Sequence, residues 1–310
     1  MKRLICFFLL FSCSHLVSAK EIIFTTKWTP QSQFAGYYVA FEKGFYQAEG
    51  LNVKIVHPTI AESSYSFLKN GRSQFVVMNL SQALMAKAEG LRVVNVMQTS
   101  QTNSLMLVSR KPLKDFSSLR GKKVAVWSHL SQDLLDMLNR RYNLSIEWVR
   151  FNGGVDIFLS GAVDICLLSS FNEFLQLKEN GWEPHSSQIL RFSDHGYNLP
   201  DDGLYVMADY YQTHRDEVEK FVKASVKGWK WTSQNKESAL DIVMSRVREN
   251  KIGTNRYHQR LMLDEILRLQ CDGANDAKSY KISADALEKA LQAIFPKGEM
   301  LKIQYSDFVN

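Results

Sequence analysis

The sequence lacks the residue spacings that mark a metal centre or a reaction site. Its 310 residues include four cysteines and seven histidines, but no Cys-x-x-Cys and no His-Glu-x-x-His spacing. It also lacks the Gly-x-Ser-x-Gly elbow of hydrolases, the Gly-Lys-Ser/Thr phosphate loop and the Gly-rich dinucleotide fingerprint. We therefore expect no metal, no cofactor and no enzymatic reaction, and a protein that binds its ligand without transforming it.

Basic clusters and long apolar runs are also missing. The net charge of +6 is spread along the chain without a basic block, whereas nucleic-acid binding needs a clustered basic footprint. Beyond the N-terminal region no stretch is apolar and long enough to cross a bilayer. With only six prolines there is no Pro-rich linker either. We expect no nucleic-acid partner, and domains that are joined by strands rather than by a tether.

The N-terminus has the order of a secretory signal peptide. Lys2 and Arg3 precede an apolar run over residues 4–12, and Val17–Ala19 supplies small residues for cleavage. The run is too short for a permanent membrane helix. We expect residues 1–19 to be removed and the mature protein to be periplasmic. A looser alternative is a lipoprotein signal, which would leave the protein lipid-anchored through Cys13.

Two cysteines remain after residue 19, Cys166 and Cys271. Cys166 lies in an apolar run, where a small buried side chain is the simpler interpretation. A chain of this size does not need a disulfide to hold its core together. A 166–271 bridge is the alternative.

Paired carboxylates, Asp201 with Asp202 and Asp133 with Asp136, could in principle act as a general acid and base. Such pairs are more often solvated residues of turns and helix faces. We therefore expect these four side chains to be exposed and to take no part in catalysis.

Short β-rich runs alternate with helical patterns along most of the chain, which is typical of an α/β fold. The pattern predicts strands over 22–26, 51–56, 75–78, 92–97, 122–126, 145–149, 165–168 and 204–207. It predicts helices over 34–49, 63–69, 81–89, 130–141, 155–159, 215–232, 236–248, 256–269 and 284–295. We expect the last four helices to cover the sheet of the first lobe.

One arrangement occurs twice. Residues 67–78 and 158–168 each run from a helix end through a glycine and a polar residue into a four-residue apolar strand. Small polar residues follow both strands, Asn79 and Ser81 in one case, Ser169 and Ser170 in the other. We infer two similar α/β lobes, with polar groups at the carboxyl ends of strands in both.

In open α/β sheets, ligands bind beyond the carboxyl ends of the strands. The segments expected there combine aromatic, amide and hydroxyl groups, which suits a flat heterocycle or another small polar molecule. The predicted ligand-binding residues are Trp28, Gln31, Phe34, Tyr37, Asn79, Ser81, Thr99, Ser100, Trp127, Ser128, Ser169, Ser170, Asn172, Glu173 and Tyr197. Phe34 and Tyr37 could equally be the buried face of the first helix, and Trp127 could cover the hinge.

Several segments resemble one known family. They are Lys27–Pro30, Phe34–Ala40, Glu42–Val53, Leu119–Trp127 and Asp194–Pro200. These stretches are similar to the thiamine-pyrimidine-synthase-like and sulfonate-binding-like solute-binding proteins of ABC transporters. The similarity extends over nearly the whole mature chain and is strongest in its first half.

The resemblance implies a type II periplasmic binding protein fold, with two α/β lobes joined by a two-strand hinge. It places residues 20–113 and 206–310 in lobe 1 and residues 114–205 in lobe 2. Members of the family bind thiamine pyrimidine precursors, riboflavin, taurine or other sulfonates between the lobes. The implied partners are a small-molecule ligand and an ABC permease in the membrane, with the protein itself a monomer.

One branch of this family is enzymatic. Its pyrimidine synthase holds pyridoxal phosphate on a lysine and consumes its own histidine, and the matching positions here are Met78 and Gln82. The cysteine-rich run of that branch is also absent. The resemblance therefore favours a transport protein over a synthase. A ligand sensor that reports to a separate signalling partner is the other alternative.

Overall fold

The computed structural model describes residues 20–59, 62–128, 138–270, 280–295 and 303–309. Some predictions fall outside these residues. They are the signal peptide 1–19 with Cys13, Cys271 and hence the 166–271 bridge, the acids Asp133 and Asp136, and most of the helix predicted over 130–141. Cys166 is a buried free thiol, as expected.

The described chain alternates strands and helices. The strands are β1 (Glu21–Thr25), β2 (Asn52–Val56), β3 (Phe75–Asn79), β4 (Val93–Gln98), β5 (Leu105–Ser109), β6 (Lys123–Trp127), β7 (Glu147–Phe151), β8 (Ile165–Ser169), β9 (Ile189–Arg191) and β10 (Asp202–Met207). The helices are α1 (Ala35–Glu42), α2 (Phe45–Ala48), α3 (Ser64–Lys69), α4 (Leu80–Ala88), α5 (described over 138–142), α6 (Asp156–Leu159), α7 (Glu173–Glu179), α8 (Ala208–Thr213), α9 (Arg215–Gln234), α10 (Lys236–Glu249), α11 (Arg256–Leu269) and α12 (Ala284–Ile294).

The strands form two five-stranded sheets of the same design. The first has the order β2-β1-β3-β10-β4 and the second the order β7-β6-β8-β5-β9. In each sheet the fourth strand, β10 in the first and β5 in the second, is the first strand after a chain crossing and runs antiparallel to its neighbours. The other pairs are parallel. The prediction of two similar α/β lobes is therefore confirmed.

The chain crosses between the sheets twice, over residues 99–104 and 192–201. The boundaries predicted at 113/114 and 205/206 differ from these crossings, because β5 belongs to the second sheet and β10 to the first. Strand β5 was not predicted, and an apolar run does not reveal which sheet it joins. The outgoing crossing is irregular and the return crossing includes a 3₁₀ turn over Ser193–His195. The two are hydrogen-bonded to each other, with Asn103 Nδ2 donating to the Leu199 carbonyl at 2.7 Å.

The helix predicted over 34–49 is divided. A 3₁₀ turn over Ser32–Phe34 leads into α1, and α2 follows after Gly44. Gly44 has φ = 68°, a left-handed conformation that ends a helix and that glycine adopts without strain. After this break the chain continues through α2 into β2, the edge strand of the first sheet.

The first sheet packs on one side against α1 and α9. Phe75 stacks on Phe221 of α9, with ring centroids 3.9 Å apart and planes 11° from parallel. Helices α9, α10 and α11 place apolar side chains in this cluster, as expected of helices that cover the first lobe. Helix α12 covers the first lobe from the other face of its sheet, because it packs against α4 and its apolar residues Leu287 and Leu291 share a cluster with Val76 of β3. None of the described helices is both long and apolar enough to cross a membrane.

Close contact between α1 and α9 gives a sharp test of this packing. A methyl group added at Gly36 would lie 2.1 Å from the ring of Trp229. We expect Gly36→Ala to reduce the free energy of unfolding by about 2–3 kcal/mol, since a rigid indole must move. Gly253→Ala is the matched control, because nothing lies within 4 Å of its added methyl. Urea unfolding measures both variants, and equal stability of the two would contradict this packing.

Candidate ligand-binding cleft

A cleft with a volume of about 620 Å³ opens between the two lobes. The first lobe contributes the loop after β1, the start of α3 and the β3–α4 turn. The second lobe contributes the end of β6, residues 152–154 and the loop from Ser169 to Glu173. These wall segments follow the carboxyl ends of β1, β3, β6, β7 and β8, the position where open α/β sheets bind ligands. The volume is in the usual range for a small-molecule site.

About half of the predicted residues line this cleft. They are Trp28, Gln31, Asn79, Ser81, Trp127, Ser169, Asn172 and Glu173. They come from both lobes, so the sequence pattern brought together residues that are far apart in the chain. Their contact with a ligand stays a prediction.

The predicted aromatic residues Phe34, Tyr37 and Tyr197 are not on the cleft wall. Phe34 and Tyr37 are fully buried in the first lobe's core. The Tyr37 hydroxyl lies 3.0 Å from Thr99 Oγ1, which takes the Thr99 side chain inward as well. Tyr197 packs edge-on against Phe116 in the second lobe. The core interpretation of the first helix is therefore the one that the structure supports.

Three predicted serines, Ser100, Ser128 and Ser170, are also absent from the cleft wall. The Ser100 N–H donates to the Asp202 carbonyl in the crossing. Ser128 donates through Oγ to the Phe151 carbonyl at 3.0 Å. Ser170 donates to Glu265 of α11, on the far side of its loop from the cleft. Ser128 and Ser170 each lie beside a cleft residue in sequence, and their side-chain bonds hold them away from the cleft.

Lys27 is a cleft residue that the sequence did not suggest. Its ammonium donates to Asp202 Oδ1 at 2.7 Å and to Asn79 Oδ1 at 2.6 Å. The other Asp202 oxygen accepts from Gln33 Nε2 at 2.7 Å. Lys27 and Asp202 are 175 positions apart, so no local pattern could have paired them. This network fixes the floor of the cleft at the first lobe.

Asp201 and Asp202 were expected to be solvated, and that expectation is wrong. Both are buried, with 5% and 4% of their surface exposed. Asp201 lines the cleft, and its Oδ2 accepts from the Ser104 N–H at 2.8 Å across the two crossings. Burial raises the pKa of Asp201 from 3.8 to about 6, although Lys27 acts in the opposite direction. Its carboxyl therefore titrates close to neutral pH.

Glu173 is a buried carboxylate that accepts hydrogen bonds from uncharged groups of the second lobe. Its oxygens accept from Trp127 Nε1 at 3.0 Å, Asn172 Nδ2 at 3.0 Å, and the Ser169 N–H and hydroxyl. Four donors thus compensate the loss of hydration. The result is a rigid wall, since one carboxylate orients the indole, the amide and the hydroxyl that face the cleft.

The position of Trp28 is fixed by hydrogen bonds to its backbone carbonyl. Its carbonyl accepts from Thr26 Oγ1 at 2.7 Å and lies 3.1 Å from His57 Nδ1, while Tyr38 approaches the other ring nitrogen. Burial lowers the pKa of His57 from 6.5 to about 4. The imidazole is therefore neutral at neutral pH, with one nitrogen available to donate to the Trp28 carbonyl. This fixes the loop that carries the indole.

Charges along the described cleft wall are mixed, with more acids than bases. Lys27 and Arg140 are the cations, and the carboxylates are Glu62, Glu89, Glu173 and Asp201. Glu62 is paired with Arg72 and Glu89 accepts from the Tyr65 hydroxyl, so both have protein partners. No group of three metal-ligating side chains is found within the described part of the chain. The arrangement suits hydrogen bonding to a polar, uncharged or weakly basic molecule.

The raised pKa of Asp201 generates a prediction about stability. Between about pH 4 and pH 6 the folded protein holds the Asp201 proton more tightly than the unfolded chain, so this group lowers stability as pH rises. We expect Asp201→Asn to be more stable than the parent by about 3 kcal/mol at pH 7, with most of the difference lost by pH 4. His57 has a shift of the opposite sign in the same range, and it cancels in the comparison.

Urea unfolding of parent and variant from pH 4 to pH 8 measures this difference. Asp209→Asn is the control, since the Asp209 side chain is 72% exposed and pairs with Arg92 at the surface. A pH-independent difference between Asp201→Asn and the parent would contradict the assignment.

Comparison with known proteins gives consistent relatives. The family model described as NMT1/THI5 like matches residues 31–239. The riboflavin-binding protein RibY of Chloroflexus aurantiacus is 25% identical over 260 residues, covering 80% of this chain and 72% of that protein. The formylaminopyrimidine-binding protein of Halalkalibacterium halodurans is 24% identical, covering 70% and 68%. The 4-amino-5-hydroxymethyl-2-methylpyrimidine phosphate synthase THI13 of Saccharomyces cerevisiae is 23% identical, covering 67% and 66%.

Solved structures share the fold. A protein of Bordetella bronchiseptica RB50 superposes with a TM-score of 0.69 at 17% identity, covering 94% of both chains. The periplasmic aliphatic sulphonate binding protein SsuA of Escherichia coli superposes with a TM-score of 0.64 at 13% identity, covering 89% of this chain and 91% of that one. The chain therefore has the two-lobed α/β fold of periplasmic binding proteins and belongs to the NMT1/THI5-like family.

Proposed function

We propose that this protein is the extracytoplasmic solute-binding protein of an ABC importer and that it captures an aminopyrimidine of the thiamine-precursor class. The observation that carries the proposal is the cleft itself, whose walls come from both lobes and meet at the two chain crossings. A ligand that contacts both walls stabilises the closed arrangement, which is how two-lobed binding proteins present cargo.

The charges of the cleft support a pyrimidine over a sulfonate. A sulfonate is a permanent anion and needs a surplus of cationic donors, but Asp202 neutralises Lys27, and the remaining cation of the described wall, Arg140, shares that wall with four carboxyl groups. An aminopyrimidine presents an amino donor beside a ring-nitrogen acceptor. A carboxyl with a pKa of about 6, such as that of Asp201, can donate or accept near neutral pH. The cleft wall also carries the side-chain amides of Gln31, Gln33 and Asn172, each of which has N–H donors and a carbonyl acceptor.

The apolar part of the cleft supports a flat ring. Trp28 and Tyr65 come from the first lobe, and Trp127, Phe171 and Phe192 from the second lobe and its return crossing. Aromatic side chains contribute large contact areas and favour offset or edge-on packing with another ring. Riboflavin, a larger flat heterocycle, is the competing ligand.

A synthase is the less favoured function. At the position that matches the cofactor lysine of the enzymatic branch, this chain has Met78, which is fully buried in β3. A thioether cannot form a Schiff base with pyridoxal phosphate. Gln82, at the position of the consumed histidine, lines the cleft but has no imidazole. The residues present therefore do not fit that cofactor or that reaction.

We place the protein in the periplasm, as a monomer delivering its ligand to a membrane permease. The sequence pattern of residues 1–19 and the periplasmic relatives support this location. A sensor that closes around the same ligand and reports to a signalling partner is the alternative. Affinity purification from membranes separates the two, because recovery of a sensor kinase without a permease would contradict the importer.

A thermal-shift panel tests the ligand class. We expect 4-amino-5-hydroxymethyl-2-methylpyrimidine or its formylamino derivative to raise the melting temperature by about 5 °C or more at 100 times Kd, because that occupancy stabilises by about 2.7 kcal/mol. Riboflavin and an alkanesulfonate are run beside it. A shift with the sulfonate and none with the pyrimidines would overturn the proposed ligand class.

Trp28→Ala tests the aromatic wall. We expect the variant to fold like the parent and to bind the stabilising ligand about 10- to 100-fold more weakly, the loss expected for a buried aromatic contact. Trp231→Ala is the matched control, because that indole lies outside the cleft beneath Lys43. Isothermal titration calorimetry measures both, and unchanged affinity of the folded Trp28 variant would remove this residue from the site.

A further inference from the structure

Helix α11 belongs to the first lobe and reaches one wall of the cleft. Its apolar residues Leu263 and Ile266 are in the first lobe's core cluster. At its N-terminal end, Gln259 Oε1 accepts from the Ser32 N–H at 2.6 Å and the Gln259 carbonyl accepts from Ser32 Oγ at 2.7 Å. Ser32 stands between two cleft residues, Gln31 and Gln33. The helix is thus tied to the first wall of the cleft.

Another face of α11 contacts the second lobe. His258 Nδ1 lies 3.0 Å from Glu179 Oε1, and His258 Nε2 lies 3.0 Å from Asn172 Oδ1. Glu265 accepts from the Ser170 hydroxyl. His258 and Glu265 are seven residues apart, two helical turns, so they lie on the same face of the helix. All three partners, Glu179, Asn172 and Ser170, come from the β8–α7 region of the second lobe.

The segment that α11 contacts is the one that lines the cleft. In the loop over residues 169–173, Ser169, Asn172 and Glu173 face the cleft. Phe171, in the same loop, is 7% exposed and belongs to the first lobe's core cluster. The loop is therefore enclosed between the ligand site and α11, and the lobes cannot separate at this edge without breaking its contacts with the helix.

We propose that α11 is a latch, in which His258 and Glu265 are positioning residues that hold the 169–173 loop against the first lobe. Resting on the proposed function, the latch makes lobe closure and ligand binding one equilibrium, although neither residue touches the ligand. The affinity for a ligand falls with the fraction of protein in the binding-competent arrangement. Weakening the latch lowers that fraction before any ligand is added.

Small-angle X-ray scattering of the ligand-free protein tests the latch directly. We expect the double variant His258→Ala/Glu265→Ala to have a larger radius of gyration and maximum dimension than the parent, since opened lobes extend further. The matched controls Tyr257→Ala and Asp264→Ala lie beside the latch residues on α11. Tyr257 is exposed and Asp264 pairs with Lys236 of the first lobe, so both controls should scatter like the parent.

Ligand binding provides the second readout. We expect the double variant to bind 4-amino-5-hydroxymethyl-2-methylpyrimidine about tenfold more weakly than the parent, with the loss in the observed association rate, because fewer molecules are binding-competent before the ligand arrives. Glu265→Gln keeps an oxygen acceptor for Ser170 and should restore parental scattering and affinity, whereas Glu265→Ala should not. A role confined to first-lobe stability would lower the melting temperature of these variants without changing their scattering.

The outcomes separate the latch from the ligand. Parental scattering by a folded double variant overturns the latch. If circular dichroism shows that the double variant is unfolded, the single variant Glu265→Ala is measured instead, and parental scattering by that folded variant overturns the latch. Expansion of the variant, combined with a parent that does not bind the pyrimidine, supports the latch and overturns the proposed ligand class.

Discussion

Asp202 is the group on which the site depends. It begins β10, the strand that returns the chain to the first sheet, and its carboxylate accepts from Lys27 and Gln33 in the loop after β1. Its carbonyl accepts from the Thr99 and Ser100 N–H groups at the start of the outgoing crossing. One residue therefore joins the first sheet, the cleft floor and both crossings. A buried carboxylate keeps such a position only while its donors stay in place.

The two crossings extend this hydrogen-bond network. Asp201 reaches from the return crossing to the Ser104 N–H of the outgoing one, and Asn103 bonds to Leu199 in the same way. The lobes thus meet over a short, hydrogen-bonded base. Farther from that base, the 169–173 loop and α11 form a second line of contact. The cleft lies between a fixed floor and an edge that can separate.

Much of this architecture could be predicted from local patterns. Helix α11 begins and ends where its periodicity indicates, and the polar residues after β3 and β8 lie in the cleft because strand ends converge there. Local patterns did not predict the direction in which a side chain points. Phe34 lies just before α1, as predicted, but its side chain is buried in the core. Ser170 lies just after β8, as predicted, but its hydroxyl donates to Glu265 of α11.

What local patterns could not provide is pairing across the chain. Lys27 reads as an ordinary loop lysine and Asp202 as a solvated turn acid until the fold brings them within 2.7 Å. The pairing of strand β5 could not be predicted for a similar reason, since its partners β8 and β9 follow it by more than fifty residues. Family resemblance identified the two-lobed fold, but only the strand order located the crossings and hence the floor of the cleft.

Hydrogen–deuterium exchange of the mature protein, with and without saturating 4-amino-5-hydroxymethyl-2-methylpyrimidine, tests most directly whether the interlobe cleft is the binding site. We expect slower exchange in peptides that cover the loop after β1, the crossings and the 169–173 loop, because a ligand that contacts both walls reduces opening at all of them. Protection confined to the outer surface of either lobe, or no change at millimolar ligand, would contradict it.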